Sequence, residues 1–143
     1  MKISIGADHG GFELKVKLVE FIKSLNYELI DNGTFSSDSV DYPDFAKLVA
    51  KDILEKRADF GVLICGSGIG ISVAANRFKG IRAALVTREE FASLSREHNN
   101  ANVIVFGGRF TSFEDAKTYL KIFLSTDFQG GRHQKRVEKI DAV

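Results

Sequence analysis

A glycine loop beside a single cysteine is the most chemically informative segment of the chain. Cys65 is the only cysteine, and Gly66-Ser67-Gly68-Ile69-Gly70 follows it directly. Three glycines in five residues allow backbone N–H groups to converge on one point, which creates a site for an anion. The GxGxG spacing matches the dinucleotide-binding GxGxxG only loosely, and the loop lacks the Lys-Ser/Thr of a P-loop. A tight turn between a strand and a helix explains the loop equally well.

Cys65 itself has two interpretations. A lone cysteine at the end of a buried strand is usually an inert, small hydrophobic residue. A cysteine among N–H donors just before a helix is instead favoured as a thiolate, which could attack as a nucleophile or remove a proton. Because there is no second cysteine, an internal disulfide and a multi-cysteine metal site are excluded, and a thiol-redox regulator is disfavoured.

Three other polar clusters could take part in chemistry. Asp8 and His9 occupy a glycine-rich turn, where the ordinary role of Asp8 would be to cap the first helix. Arg132, His133 and Arg136 form a second cluster, in which the two arginines are four residues apart and so share one helix face. That face is either solvated or holds a phosphate between two guanidiniums. The segment His98-Asn99-Asn100-Ala101-Asn102 is typical of an Asn-rich helix end.

The elements that must position these residues alternate along the chain. Short runs rich in Ile and Val predict five strands, at Lys2–Gly6, Tyr27–Ile30, Gly61–Cys65, Arg82–Val86 and Val103–Phe106. Amphipathic helices are predicted between them, with capping boxes at residues 87–90 and 111–114. The alternation predicts a single three-layer α/β/α domain over residues 1–143, with a five-stranded parallel Rossmann-like sheet and a C-terminal helix.

Topology places the polar residues relative to one another. The favoured arrangement puts strand 1 between strands 2 and 3 and leaves the order of the last two strands open. Ligands bind beyond the carboxyl ends of the strands at the switch point, so Asp8 and His9 should lie opposite Cys65. The helix after Arg88 runs back down the sheet, at about 1.5 Å per residue. His98 should therefore lie at the opposite edge, and would have to come from a second chain to join Cys65.

Composition excludes several classes of function. The net charge is +1, from 20 basic and 19 acidic residues, so neither nucleic acid nor an anionic membrane is expected as a partner. No apolar stretch is long enough to span a bilayer, and the first apolar run is too short for a signal peptide. A cytoplasmic location is the resulting expectation.

Five segments, in this order, resemble the ribose-5-phosphate isomerase B family, which also contains the subunits of galactose-6-phosphate isomerase. They are GADHGGFELK, DNGTFSSDSVDYPDFA, GVLICGSGIGISVAANRFKGIRAA, SREHNNANVIVFGGR and GGRHQKRVEKI. The resemblance implies an aldose–ketose isomerase that interconverts D-ribose 5-phosphate and D-ribulose 5-phosphate through an enediolate. It also implies a homodimer with active sites shared between chains, and no metal or organic cofactor.

The resemblance further implies roles for single residues. Cys65 would move a proton between C2 and C1, with Ser67 beside it in the catalytic loop, and His98 would open the furanose ring. The positions implied to bind the substrate or its phosphate are Asp8, His9, Gly66, Ser67, Gly68, Ile69, Gly70, Asn99, Arg109, Arg132 and Arg136. Ser67 stands where we expect Thr in the bacterial members most like this chain. It keeps the hydroxyl and lacks the methyl, which leaves the sugar preference open.

Two alternatives remain at this point. A hexose 6-phosphate, such as galactose or allose 6-phosphate, could replace the pentose, and the retained Cys65 argues only against a catalytically silent subunit. A flavin- or nucleotide-binding module on the same type of sheet is less favoured. Asp8 and His9 occupy the loop where such a module would carry a run of Ser and Thr phosphate binders.

Overall fold

The computed structural model describes all 143 residues and contains five strands and six helices. The strands are β1 (Lys2–Ala7), β2 (Glu28–Asp31), β3 (Phe60–Cys65), β4 (Ala83–Leu85) and β5 (Val103–Gly107). The helices are α1 (Phe12–Ser24), α2 (Tyr42–Leu54), α3 (Ile69–Ala75), α4 (Glu89–Glu97), α5 (Phe113–Ser125) and α6 (Arg132–Asp141). The predicted α/β fold is confirmed, and every predicted strand is found.

All five strands form one parallel sheet in the order β2-β1-β3-β5-β4. Strand β1 lies between β2 and β3, as predicted, so the switch point falls between β1 and β3. The sequence left the order of the last two strands open, and the structure places β5 between β3 and β4. The fully buried β5 lies inside the sheet, and the short, half-buried β4 forms its edge.

The core forms two layers, one on each face of the sheet. Ile3, Val62 and Ile64 pack on the face covered by α1 and α5. Leu63 and Cys65 point to the other face, against α2 and α3, because successive side chains of a strand alternate. Cys65 therefore lies under the start of α3 while its backbone continues the central strand.

The predictions of helix starts are wrong by one residue. Helix α4 begins after Arg88, which makes no side-chain capping bond, so no capping box forms at residues 87–90. Helix α5 begins after Ser112, whose hydroxyl accepts a hydrogen bond from the Asp115 N–H at 3.1 Å, rather than at the box predicted for residues 111–114. In both cases the N-cap position lies one residue after the Thr that the pattern predicted as the cap.

Candidate active site

The glycine loop, residues 66–70, packs around the sulfur atom of Cys65. Cys65 is the last residue of β3 and is 4% exposed. Its Sγ accepts a hydrogen bond from the Gly68 N–H at 3.2 Å. Gly68 has a φ of +81°, and a Cβ there would lie 2.5 Å from the Leu85 side chain, so only glycine fits. The loop sequence thus brings an N–H donor onto the only thiol.

Further N–H groups around this thiol have no acceptor. In the segment that follows Cys65, four backbone N–H groups have no acceptor within the chain, those of Gly66, Ser67, Gly70 and Ile71. Ile71 is fully buried, and a buried N–H group without a partner is costly. A negatively charged oxygen beside Cys65 would satisfy several of these donors at once. The arrangement therefore has the character of an oxyanion hole.

The loop after β1 contacts the glycine loop, as the predicted switch point requires. A Cβ on Gly10 would lie 2.8 Å from the Gly66 nitrogen, and the Asp8 N–H donates to the Ile64 carbonyl at 3.2 Å. Asp8 does not cap α1, because its Oδ1 accepts the Gly10 N–H at 2.9 Å. The capping interpretation of Asp8 is wrong, and its carboxylate instead stabilises the turn beside Cys65.

His9 is held in one tautomer by the loop between β2 and α2. The Val40 N–H donates to His9 Nδ1 at 3.2 Å. Since Nδ1 is the acceptor, the neutral imidazole carries its proton on Nε2. His9 lines a cavity of about 430 Å³ and therefore contributes an N–H donor there.

Arg109 lines the same cavity from the loop after β5. Its guanidinium packs over the glycine loop, where a Cβ on Gly66 would lie 2.9 Å from Nη1. The Arg109 N–H donates to the Gly66 carbonyl at 3.0 Å, which fixes the backbone of the two loops. A guanidinium and a His9 N–H around one cavity suit a phosphate group.

Tyr42 is a site residue that the sequence analysis missed. It is the first residue of α2, and its ring covers the glycine loop, where a Cβ on Gly70 would lie 2.6 Å from Cζ. Tyr42 as a whole is 38% exposed. The available signal was its position, because a helix that follows a parallel strand begins at the carboxyl edge of the sheet, where the ligand site lies.

His98 lies at the amino edge of the sheet, as the topology predicted. It ends α4, and the nearby Asn102 carbonyl accepts the Gly61 N–H at 2.9 Å, at the start of β3. From Gly61 to Cys65 the strand rises by about 3.3 Å per residue, so Cys65 lies more than 10 Å away. Within one chain, His98 and Cys65 do not form a common site.

His98 belongs to a group that we call the histidine cluster, namely His98, Asn99, Arg132, His133 and Arg136. The His98 and His133 rings stack, with their centroids 4.2 Å apart and their planes at 12°. His133 is buried, whereas Arg132, Arg136 and Asn99 are exposed. Burial lowers the pKa of His133, and so do the nearby His98, Arg132 and Arg136. The cluster is thus a cationic surface that joins two polar segments found in the sequence, and the stack between their histidines is what the sequence did not predict.

Other parts of the molecule offer less. No group of three or more His, Cys, Asp or Glu side chains could hold a metal ion. A cavity of about 470 Å³ between the end of α3 and the end of α6 contains none of the candidate residues. No helix combines the length and the apolar character needed to cross a membrane.

Comparison with known proteins identifies the family. The family model described as Ribose/Galactose Isomerase matches residues 3–140. The chain belongs to the ribose/galactose isomerase family. The match includes both the glycine loop and the histidine cluster, and it confirms the resemblance drawn from the five sequence segments.

Individual members of the ribose/galactose isomerase family are similar over their whole length. Ribose-5-phosphate isomerase B of Escherichia coli is 46% identical over 142 residues, which cover 99% of this chain and 95% of that protein. A ribose 5-phosphate isomerase structure from Thermotoga maritima has a TM-score of 0.98 at 51% identity, covering 99% and 98% of the two chains. The type B enzyme of Trypanosoma brucei gives 0.94 at 42% identity, covering 99% and 97%.

Proposed function

We propose that this chain interconverts D-ribose 5-phosphate and D-ribulose 5-phosphate by moving a proton between C2 and C1. The observation that carries the proposal is the buried Cys65 thiol beneath four unpaired N–H groups, three in the glycine loop and one in the first turn of α3. A base beside an oxyanion hole is what an enediolate reaction needs. The relatives from Escherichia coli and Thermotoga maritima, named for ribose 5-phosphate, support the pentose as substrate.

Proton transfer in this proposal runs through the sulfur atom. The Cys65 thiolate removes the proton from C2 of the open-chain aldose, and the electron pair that is left forms the C1–C2 double bond. The negative charge moves to O1, where backbone N–H groups stabilise it by roughly 2.7–4 kcal/mol per donor. The O2 proton then passes to O1, and as the C2=O double bond forms, the Cys65 thiol returns its proton to C1, which completes the ketose and restores the thiolate. Ser67 Oγ already accepts the Ile69 N–H at 3.1 Å, so its own proton is available to a substrate oxygen.

The phosphate positions the flexible sugar. His9 Nε2–H and the Arg109 guanidinium line one cavity beside the glycine loop and would bind phosphate oxygens there. The phosphate is remote from the reacting carbons, so its role is to hold C1 and C2 next to Cys65. Asp8, hydrogen-bonded in the same turn, would accept a sugar hydroxyl.

A second copy of the chain would complete the site. His98 cannot reach Cys65 within its own chain, so we place the histidine cluster of one copy over the glycine loop of the other in a homodimer. Large apolar side chains are exposed beside that loop, namely Ile69 at 60%, Val73 at 60% and Phe110 at 81%. A partner would bury them. His98 would then open the furanose ring by moving a proton on the ring oxygen, with Arg132, Arg136 and Asn99 holding the substrate.

Replacing Cys65 tests the chemistry. We expect Cys65→Ala to abolish conversion of ribose 5-phosphate without added metal. It should also abolish the uptake of deuterium at C1 of ribulose 5-phosphate in heavy water, because that exchange needs only the proton-transfer base. Thr118→Ala, on the exposed face of α5, is the control and should retain both activities. Normal turnover by Cys65→Ala would refute the proposal.

A hexose 6-phosphate is the second candidate substrate. The family description includes galactose, and Ser67 lacks a methyl that Thr would place beside the sugar. Side-by-side rates on ribose 5-phosphate, galactose 6-phosphate and allose 6-phosphate decide between them, and we expect the pentose to react fastest. If a hexose 6-phosphate reacts faster, the same mechanism applies to the longer sugar.

The single domain over residues 1–143, the cytoplasmic location and the absence of cofactor, nucleic-acid and membrane partners stay predictions.

A further inference from the structure

Ring opening requires a fixed orientation of the His98 ring, and the hydrogen bonds of His98 do not provide it. A nitrogen of its imidazole has to point at the furanose oxygen of a bound sugar. The backbone N–H of His98 donates to the Leu94 carbonyl at 2.9 Å, which fixes the main chain only. No hydrogen bond from any side chain or main-chain group of the chain reaches the His98 ring. Some other contact has to set the angle of that ring.

The stack on His133 is that contact. The two rings are nearly parallel, at 12°, and their centroids are 4.2 Å apart, which is closer than most aromatic pairs. A parallel partner at this distance restricts rotation of the His98 ring about its side-chain bonds. The His98 ring is therefore held from one face.

His133 is itself well anchored. It is 6% exposed, and its N–H donates to the Gly130 carbonyl at 3.0 Å in the first turn of α6. The far end of α6 is tied to the sheet by an ion pair between Arg82 Nη1 and Asp141 Oδ2 at 2.8 Å. The start of α6 is tied to α4, because the Gln129 N–H donates to the Glu97 carbonyl at 3.1 Å. His133 thus provides a fixed surface for the His98 ring.

The charges around the two histidines favour an uncharged His133. Arg132 and Arg136 lie on the same helix as His133, and His98 faces it from α4. Together with burial, they lower the pKa of His133 and keep its ring uncharged at neutral pH. Two stacked imidazolium rings would repel each other, so a neutral His133 places no positive charge against the His98 ring.

We propose that His133 is a positioning residue, whose flat, buried ring holds the His98 imidazole at the angle needed for opening the furanose ring of the substrate. This inference rests on the proposed function, because ring opening matters only if the substrate is a cyclic sugar phosphate. His133 need not touch the sugar. Its effect is confined to the step that His98 carries out.

Two measurements separate that step from proton transfer. Conversion of ribose 5-phosphate requires ring opening. Deuterium uptake at C1 of ribulose 5-phosphate does not, because the C5 oxygen of this ketose carries the phosphate and cannot close a furanose ring. The exchange also requires a folded protein with an intact Cys65 site, so it reports on general damage.

We expect His133→Ala to reduce conversion of ribose 5-phosphate about tenfold, at the upper end of what an aromatic pair provides, and to change deuterium uptake by less than about twofold. His133→Phe, which keeps a flat ring, should restore most of the conversion. Gln134→Ala, at the next and exposed position of α6, is the matched control and should behave like the wild type. If His133→Ala does not fold, His133→Leu keeps the volume without a flat ring and should show the same split.

Three outcomes would overturn the inference. Equal losses in conversion and deuterium uptake would show a merely structural role. Unchanged conversion in a folded His133→Ala protein would show that the stack is dispensable. A His133→Phe protein as poor as His133→Ala would show that a ring nitrogen of His133 is required. If the wild-type protein shows neither conversion nor exchange, the proposed function itself fails, which is a different result from any of these three.

Discussion

The two edges of the sheet hold their polar groups by different means. At the carboxyl edge the groups next to the Cys65 thiol are backbone N–H donors, held by contacts so close that a Cβ on Gly10 or Gly108 would collide with neighbouring backbone atoms at 2.8 and 2.4 Å. At the amino edge they are side chains, held by the stack of His98 on His133 and by the ion pair between Arg82 and Asp141 at the end of α6. Backbone donors keep their charge distribution at every pH, whereas imidazoles change theirs. The first arrangement suits an oxyanion, and the second suits a step that moves a proton on and off a ring oxygen.

The largest effect is expected from an experiment that disables a different edge in each of two chains, which tests whether one site uses both edges. Cys65→Ala and His98→Asn proteins should each be inactive on ribose 5-phosphate. After mixing in equal amounts with subunit exchange, half of the dimers carry one intact site, so about a quarter of the wild-type rate should return. Turnover of the mixture, with exchange verified by native mass spectrometry, measures this. Absence of recovery despite exchange would mean that each chain builds its site alone.

Glycine substitutions compare the two edges directly. Gly68→Ala should reduce kcat about 100-fold, because the new Cβ meets Leu85 and displaces the N–H group that donates to Cys65. Gly130 at the amino edge also has a positive φ, of +65°, but a Cβ there has no atom within 4 Å. Gly130→Ala should therefore cost only backbone strain and leave kcat within about threefold. Similar losses in the two variants would show that strain, and not the donor, controls activity.

The smallest effect on activity is expected from a buried carboxylate that belongs to neither edge. Asp52 Oδ2 accepts hydrogen bonds from Ser4 Oγ at 2.7 Å and Asn32 Nδ2 at 2.9 Å, and Oδ1 accepts one from Arg57 Nε at 3.1 Å. Burial alone would raise the pKa of Asp52, but these hydrogen bonds outweigh it and hold the pKa below the ordinary 3.8. Asp52→Asn should lower the free energy of unfolding by about 2 kcal/mol at pH 7 and leave kcat unchanged.

The sign of the pH dependence follows from the lowered pKa. The ionised Asp52 stabilises the fold fully above its ordinary pKa of 3.8, and this contribution is lost as the pH falls through the lower folded value. The stability gap between wild type and Asp52→Asn should therefore close below about pH 4 in urea titrations. Asp38→Asn, at an exposed position, is the control. A gap that stays constant down to pH 2 would contradict the assignment.

The sequence alone predicted the sheet because the signals that mark strands are local. Runs of Ile and Val mark each buried strand, and the glycine loop marks where β3 must turn sharply. The order of β4 and β5 could not be predicted, because both are short apolar runs and only their burial in the folded sheet separates them. The exact helix starts failed for a related reason, since adjacent polar residues such as Thr111 and Ser112 offer equivalent caps.

The candidate site, like the fold, has residues that the sequence could predict and residues that it could not. Cys65, His9 and Arg109 follow strands directly, so the topology of a parallel sheet places them at one edge. Tyr42 and the contact of His133 with His98 were missed because these contacts join distant segments. The path of the loop between β2 and α2 brings Tyr42 over Gly70, and the segment before α6, whose Gln129 N–H donates to the Glu97 carbonyl, brings His133 against His98. No local pattern encodes either contact.

The placement of Cys65 and His98 at opposite edges has a consequence for how such a gene can diverge. If each site draws one edge from each copy, a duplicated gene could lose the thiol in one product and the imidazole in the other. The mixed dimer would still contain one complete site. Each product would then depend on the other, so selection would maintain two genes where one had been sufficient. The residues around the dead half-site would be free to acquire a different specificity.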